Sequence, residues 1–329
     1  MTIYRSIFVK AWEITRRYKF LWFFGFFAAL LGNGGELEII YQNIVRFTQQ
    51  SNNLSFLSDL YNAGRLEAVF SQVSQYFNTD TPLTIANSIL LLLVFVLFIW
   101  LIVIAQSVII NKVYKQEKGE VVAFDESFRV GRHFFKKVFL VNLAAKVLVY
   151  GLFAIICGPL LYFYLRGNGI SWGLSFSYIL ISFIIFIPVG FVVAFIAKYA
   201  TAFVVIKGLS VSQAMKEGWK LFVNNWLISI EMSVTLFIIN VIAGLAFLVA
   251  FVLVAVPFLL LAMIFYSAAS AIGLNIITII GSVVFLAALF LLGSIFSVFQ
   301  FSAWTLLFMK LNQGKVISKI VRIFSSSQS

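Results

Sequence analysis

The chain has 329 residues, of which 62% are hydrophobic and 11% charged, with 38 Phe and a mean hydropathy of +1.03. A soluble domain carries roughly a quarter charged residues, so this composition excludes one. A single cysteine, Cys157, excludes an internal disulfide framework and a cysteine-based zinc site.

Apolar runs fall at 20–31, 83–110, 138–165, 173–206, 226–266 and 276–309. All but the first exceed the ~18 residues that mark a membrane-spanning helix, and a bilayer core admits only helices or closed barrels. The expected fold class is therefore all-α: a polytopic transmembrane bundle of about six spans. The first run is short and becomes a span only if its helix starts earlier, at Trp12 or Tyr18, with Arg16, Arg17 and Lys19 snorkelling to the interface. A cleaved twin-arginine signal is the competing reading, but bulky Trp22, Phe23, Phe24 and Phe26 suit an uncleaved anchor better.

The fifth run is twice the length a bilayer needs. Reading it as two spans would place Lys310, Lys315, Lys319 and Arg322 on the outer side, against the positive-inside rule. One span to about Val254 is expected instead, broken near Pro257 and followed by an interfacial piece, and Pro188 is expected to kink the fourth run. This topology puts both termini in the cytoplasm, with 19 Lys and Arg inside and only Arg46, Arg65 and Arg166 outside. Orientation then accounts for the formal net charge of +12, and no basic patch remains to suggest a nucleic-acid partner. The expected location is the bacterial cytoplasmic membrane. The whole chain, 1–329, reads as one integral membrane domain with an outer insertion at 33–82 and a basic cytoplasmic tail at 311–329.

Before each odd-numbered span stands the order small, aromatic, charged, aliphatic: Ala11-Trp12-Glu13-Ile14, Ser127-Phe128-Arg129-Val130 and Gly218-Trp219-Lys220-Leu221. Around the third copy Val211, Ala214, Met215, Gly218, Trp219 and Phe222 share a helical face; around the first, Ile3, Ile7, Ala11, Ile14 and Tyr18 do. Such helices lie in the interface, with Trp12, Phe128 and Trp219 as anchors at headgroup depth and basic side chains meeting anionic lipid headgroups. The chain thus reads as three degenerate repeats, each an amphipathic helix plus two spans; the alternative takes these elements as the wet first turns of each span.

The stretch Val205-Ile206-Lys207-Gly208-Leu209-Ser210-Val211-Ser212-Gln213-Ala214, followed by Gly218 to Trp226, resembles the linker-and-helix signature of bacterial six-span proteins similar to the membrane domain of glycerophosphoryl diester phosphodiesterase. The stretches 10–22 and 124–138 resemble degenerate copies of it. There is no cluster of His, Glu and Asp for the metal of the phosphodiesterase barrel. The resemblance implies a stand-alone membrane domain, and no catalytic residue is carried over.

In the outer segment, Leu37, Ile40, Ile44 and Phe47 fit one helical face and Leu66, Val69, Phe70, Val73, Tyr76 and Phe77 another, so two amphipathic surface helices are expected. The only histidine, His133, has no cysteine or carboxylate at ligand spacing, and no Walker loop, dinucleotide fingerprint, nucleophile elbow or zinc-protease helix occurs. No enzyme activity, metal or cofactor is expected. Gly190-x-x-x-Ala194, Gly244 to Ala250 and Ala287 to Gly293 have spacings suited to close helix packing.

Depth supplies the remaining signal. At ~1.5 Å per residue, Gln106, Asn142, Lys146, Lys198, Glu231 and Gln300 lie about 8–15 Å into the membrane from the inner side. Ionisable residues within spans face the bundle interior or a water-filled cavity, which makes these six a candidate polar vestibule, with Lys146 paired to Glu231. The alternative has the lysines snorkelling and the amides bonding between helices. Two functions follow: a non-enzymatic lipid-interacting or scaffold module, with membrane lipids and a membrane protein as candidate partners, or a transporter or channel for a small or amphipathic anion.

Overall fold

The computed structural model describes residues 3–30, 82–120, 123–165, 172–268 and 270–314. The expected surface helices of 33–81 and the basic tail from 315 lie outside the described residues. The described chain is all-helical: α1 (Ile3–Arg17), α2 (Leu21–Ala29), α3 (Pro82–Glu117), α4 (Phe124–Leu165), α5 (Trp172–Lys207), α6 (Val211–Asn224), α7 (Trp226–Ser267) and α8 (Ala271–Asn312). By contact the chain divides into one unit of Met1–Gly35 with Ile102–Ser329 and a second of Glu36–Leu101. Of the second, 82–101 are described, a helical stretch whose Ile89 to Val96 are all exposed.

Among the described residues, five helices are long and apolar enough to cross a membrane: Ala86–Glu117, Phe124–Ile156, Ile184–Lys207, Trp226–Ser267 and Ile272–Asn312. The expected first span is not among them. Rather than one helix running in from Trp12 or Tyr18, α1 stops at Arg17, the chain turns through 18–20, and α2 has nine residues. That is about 14 Å of helix, half a hydrocarbon core. The Trp22 indole donates to the Thr15 carbonyl at 2.9 Å, satisfying an acceptor at the end of α1 and fixing the turn. Gly25 then brings α2 against α8 so closely that a Cβ there would lie 2.3 Å from the Ser294 carbonyl oxygen.

Two other elements differ from expectation. Pro257 does not break α7, which runs unbroken from Trp226 to Ser267. Its ring sits on the exposed side, while Phe258 faces the partner helix, where a Cβ on Gly281 would meet it at 3.2 Å. A proline is tolerated within an apolar helix when its ring does not intrude on a packed seam. With Phe265 against Gly273, Phe251 against Phe285 (centroids 4.1 Å) and Gln300 Nε2 donating to Asn240 Oδ1 at 2.7 Å, α7 and α8 form an antiparallel hairpin in one constant register. Each arm has 42 residues, about 63 Å, twice the hydrocarbon core. The second difference is that the element around Phe128 is no separate helix but the first turns of α4, since nothing between Val130 and Val138 breaks it. Pro188 likewise lies inside a continuous α5.

The first unit has its core at the end where α3, α5 and α8 finish and α4 and α7 begin. Val103 to Val113, Phe195 to Val205 and Val298 to Leu311 supply most of the buried residues. The opposite stretches of α4, α7 and α8, such as Val147, Leu148, Leu245 to Leu261 and Ile276 to Leu291, are largely exposed apolar surface suited to lipid.

Candidate functional site

The three patterned elements each settle on a helix that ends at this core. The α5–α6 junction follows from its sequence: Gly208 adopts φ 70° and ends α5, and Ser210 caps α6 in a box with Gln213. Lys137 Nζ of α4 donates to the Gly208 carbonyl at 2.9 Å. Ala214, Gly218 and Phe222 form the buried stripe of α6, with Gly218 facing the α5 backbone; a Cβ there would stand 3.0 Å from the Ile196 oxygen and 3.1 Å from the Ala200 nitrogen. The start of α4 lies on α3, where Gly131 meets Ile104 and Val108. On α1 the stripe Ile7, Ala11, Ile14 is buried, and Phe8 and Trp12 touch Phe299 of α8.

In every copy the small residue (Ala11, Ser127, Gly218) is buried and the charged one (Glu13, Arg129, Lys220) exposed. Trp12 and Trp219 are half-exposed, whereas Phe128 is partly covered by Phe124 and Phe24. The apolar stripes of α1 and α6 therefore rest on protein, while Trp12 and Val9 on α1 and Trp219 and Val223 on α6 remain open to an interface.

A narrow, mostly apolar pocket of about 20 Å3, room for one water, lies among α3, α5 and α8. Gln106, Lys198 and Gln300 line it, and so do the residues four positions on from each, Ile110, Ala202 and Trp304. Three helices thus present the same i, i+4 face. Lys198 Nζ stands 4.4 Å above the Trp304 ring, a cation–π contact. Asn142 of α4 donates to Gln106 Oε1 at 2.8 Å and to its own Val138 carbonyl at 3.0 Å, so both interior amides are engaged.

Four of the six expected vestibule residues are therefore connected. The other two are not, and the expected Lys146–Glu231 pair does not form. Lys146 sits on the exposed face of α4 and makes no ion pair among the described residues, while Glu231 accepts a hydrogen bond from the Tyr4 hydroxyl of α1. Burial, and then this carboxylate, push the Tyr4 hydroxyl well above the usual tyrosine range, so it remains a donor. Beside it Tyr199 and Ser229 share a 2.7 Å hydroxyl bond.

Sequence reasoning missed this second polar cluster, although Tyr4 continues the Ile7, Ala11, Ile14 stripe at helical spacing. Lys112, one of the 19 Lys and Arg assigned to the inner side, was counted there only as a charge. The structure buries Lys112 completely, with Nζ 4.1 Å from the Tyr18 ring and 5.8 Å from that of Phe20. Ion pairs at the rim are Lys10–Glu117 (2.6 Å) and Lys115–Glu126 (2.6 Å), and Lys310 Nζ donates to Ser6 at 2.8 Å. Helix α1 thereby joins the ends of α3, α7 and α8. Among the described residues no group of His, Cys, Asp and Glu could hold a metal ion. No family model, curated protein or solved structure matches the chain.

Proposed function

We propose that the protein is a non-enzymatic, multi-pass membrane module that engages phospholipid at its basic end, and that this end is the cytoplasmic face of a bacterial inner membrane. One observation carries the reading: α1 and α6 bury their small and aliphatic stripe against protein while exposing Trp12 and Trp219 beside Arg5, Arg16, Lys216 and Lys220. An aromatic edge flanked by cations suits the boundary of headgroups and acyl chains. The shared burial of Ala11, Ser127 and Gly218, and the matching i, i+4 faces on α3, α5 and α8, support three degenerate repeats. The resemblance of the 205–226 stretch to stand-alone membrane domains agrees with this. Mild extraction and native mass spectrometry are expected to find phospholipid retained; a folded but lipid-free protein would overturn the reading.

The convergence of Gln106, Lys198 and Gln300 favours a second reading, passage of a small anion. Liposomes containing the protein would then leak chloride, and Lys198→Gln would abolish the leak. The pocket's small volume and the contact of Lys198 with Trp304 rank it second.

A further inference from the structure

A second pocket, of about 320 Å3, opens where α5, α6 and α8 come together at their ends. That volume is at the lower limit of small-ligand sites. Its polar lining comes from Glu217, Lys220, Asn224, Asn225 and Asn312, and among the described residues neither Glu217 nor Lys220 forms an ion pair.

Two of its amides are fixed by hydrogen bonds made elsewhere. Asn312 Oδ1 accepts from Lys207 Nζ at 2.8 Å, which leaves its NH2 group as a donor. Asn225 Nδ2 donates to the Leu221 carbonyl at 3.0 Å, which leaves its oxygen as an acceptor. The pocket therefore offers donors, Lys220 and the Asn312 amide, to an anion, and acceptors, Glu217 and the Asn225 oxygen, to an N–H cation. The two charged side chains that line it, Glu217 and Lys220, cancel, and Lys207 beside it is engaged by Asn312 Oδ1 and the Phe203 ring, so the lining matches a zwitterion rather than a net anion. The acceptors reward a primary ammonium with three N–H bonds, whereas a quaternary ammonium is held by an aromatic cage, and among the described residues Phe203 is the one aromatic side chain lining the pocket.

The surroundings favour a lipid as the source of that zwitterion. The pocket lies at the ends of the apolar spans that finish at Lys207 and Asn312, the level at which headgroups sit. Directly after Asn225, Trp226, Ile230 and Val234 of α7 are exposed at spacing i, i+4, i+8, an apolar track for an acyl chain.

We propose that this pocket binds the phosphoethanolamine headgroup of a membrane phospholipid, with Lys220 and Asn312 on the phosphate and Glu217 and Asn225 on the ammonium. The assignment rests on the lipid-binding reading above and names the headgroup that it prefers.

The test is native mass spectrometry of the full chain from nanodiscs of equal phosphatidylethanolamine, phosphatidylcholine and phosphatidylglycerol. Phosphatidylethanolamine is expected to be retained over phosphatidylcholine by about tenfold, the scale of one charge-assisted hydrogen bond. Glu217→Gln should erase that preference, and Lys220→Gln should weaken retention of all three lipids alike, since each has a phosphate. Both side chains are exposed, so neither change should unfold the protein.

Retention without headgroup preference, or a preference that Glu217→Gln leaves intact, overturns this assignment while sparing lipid binding. Retention of no lipid overturns both. Soluble glycerophosphoethanolamine should displace the lipid only at large excess; displacement at equal concentration would overturn the lipid as occupant in favour of the free zwitterion.

Discussion

The Tyr4 hydroxyl donates to the Glu231 carboxylate across 227 positions of sequence, tying the first helix to the long hairpin near the end of the chain. A hydrogen bond to a charged acceptor contributes about 1.5–3 kcal/mol, and this pair is only part-buried, so the lower figure applies. Tyr4→Phe is expected to lower thermal stability in detergent, and Tyr4→Phe with Glu231→Gln should cost less than the sum of the two single changes. Strict additivity would mean that the residues are not coupled. The same bond predicts a pH effect. The folded hydroxyl titrates above the unfolded value of about 10, so the folded state retains a proton that the unfolded state loses. Its stabilisation is complete below that value and declines as pH rises past it, and wild type should lose stability above pH ~10 more steeply than Tyr4→Phe.

Close packing separates two kinds of glycine. Gly218→Val places atoms against the α5 backbone, which cannot yield as a side chain would, and should cost about 1–3 kcal/mol by overpacking. Gly244→Ala meets nothing within 4 Å and should be neutral or stabilising by up to about 1 kcal/mol from helix propensity. Melting temperatures of the two variants in one detergent decide the matter, and equal losses would contradict the packing described.

Inside the bundle, Asn142→Leu removes the donor to Gln106 Oε1, leaving a buried carbonyl unsatisfied at about 1–3 kcal/mol. Adding Gln106→Leu should recover part of that loss. A double variant no better than Asn142→Leu alone would show that Gln106 is satisfied in another way.

Topology is tested by cysteine labelling in a Cys157→Ser background. Ser58→Cys is expected to react with an impermeant thiol reagent from outside intact cells and Ser327→Cys only after lysis, because 19 Lys and Arg are assigned to the inner side. Labelling of position 327 from outside would reverse the orientation.

Much of this was legible in the sequence because it depends on local composition. Apolar runs mark long helices, since a backbone in lipid must satisfy its own hydrogen bonds. The Gly208 and Ser210 punctuation separates α5 from α6, and helical spacing identifies the buried stripes of α1 and α6. Depth counting put Gln106, Asn142, Lys198 and Gln300 at one level, because depth follows from position along each helix, and the structure brings these four near one another.

What the sequence could not decide was which helix meets which, and through which face. Gly190, Gly244 and Gly293, chosen for their spacing, meet no neighbour within 4 Å, whereas Gly25, Gly131, Gly218, Gly273 and Gly281 carry the close contacts. Small-residue spacing states that a backbone can be approached, not that anything approaches it. Lys146 and Glu231 were paired by depth alone, and the rotation of α4 turns the lysine outward while α1 delivers Tyr4 to the carboxylate. Pro257 was read as a break because a proline removes one backbone hydrogen bond; the helix continues through it, with Phe251, Phe258 and Phe265 packed along α8 on either side. Helix existence is a property of each segment's own residues, while rotation and partnership depend on contacts between segments far apart in the chain, and only the tertiary structure contains those.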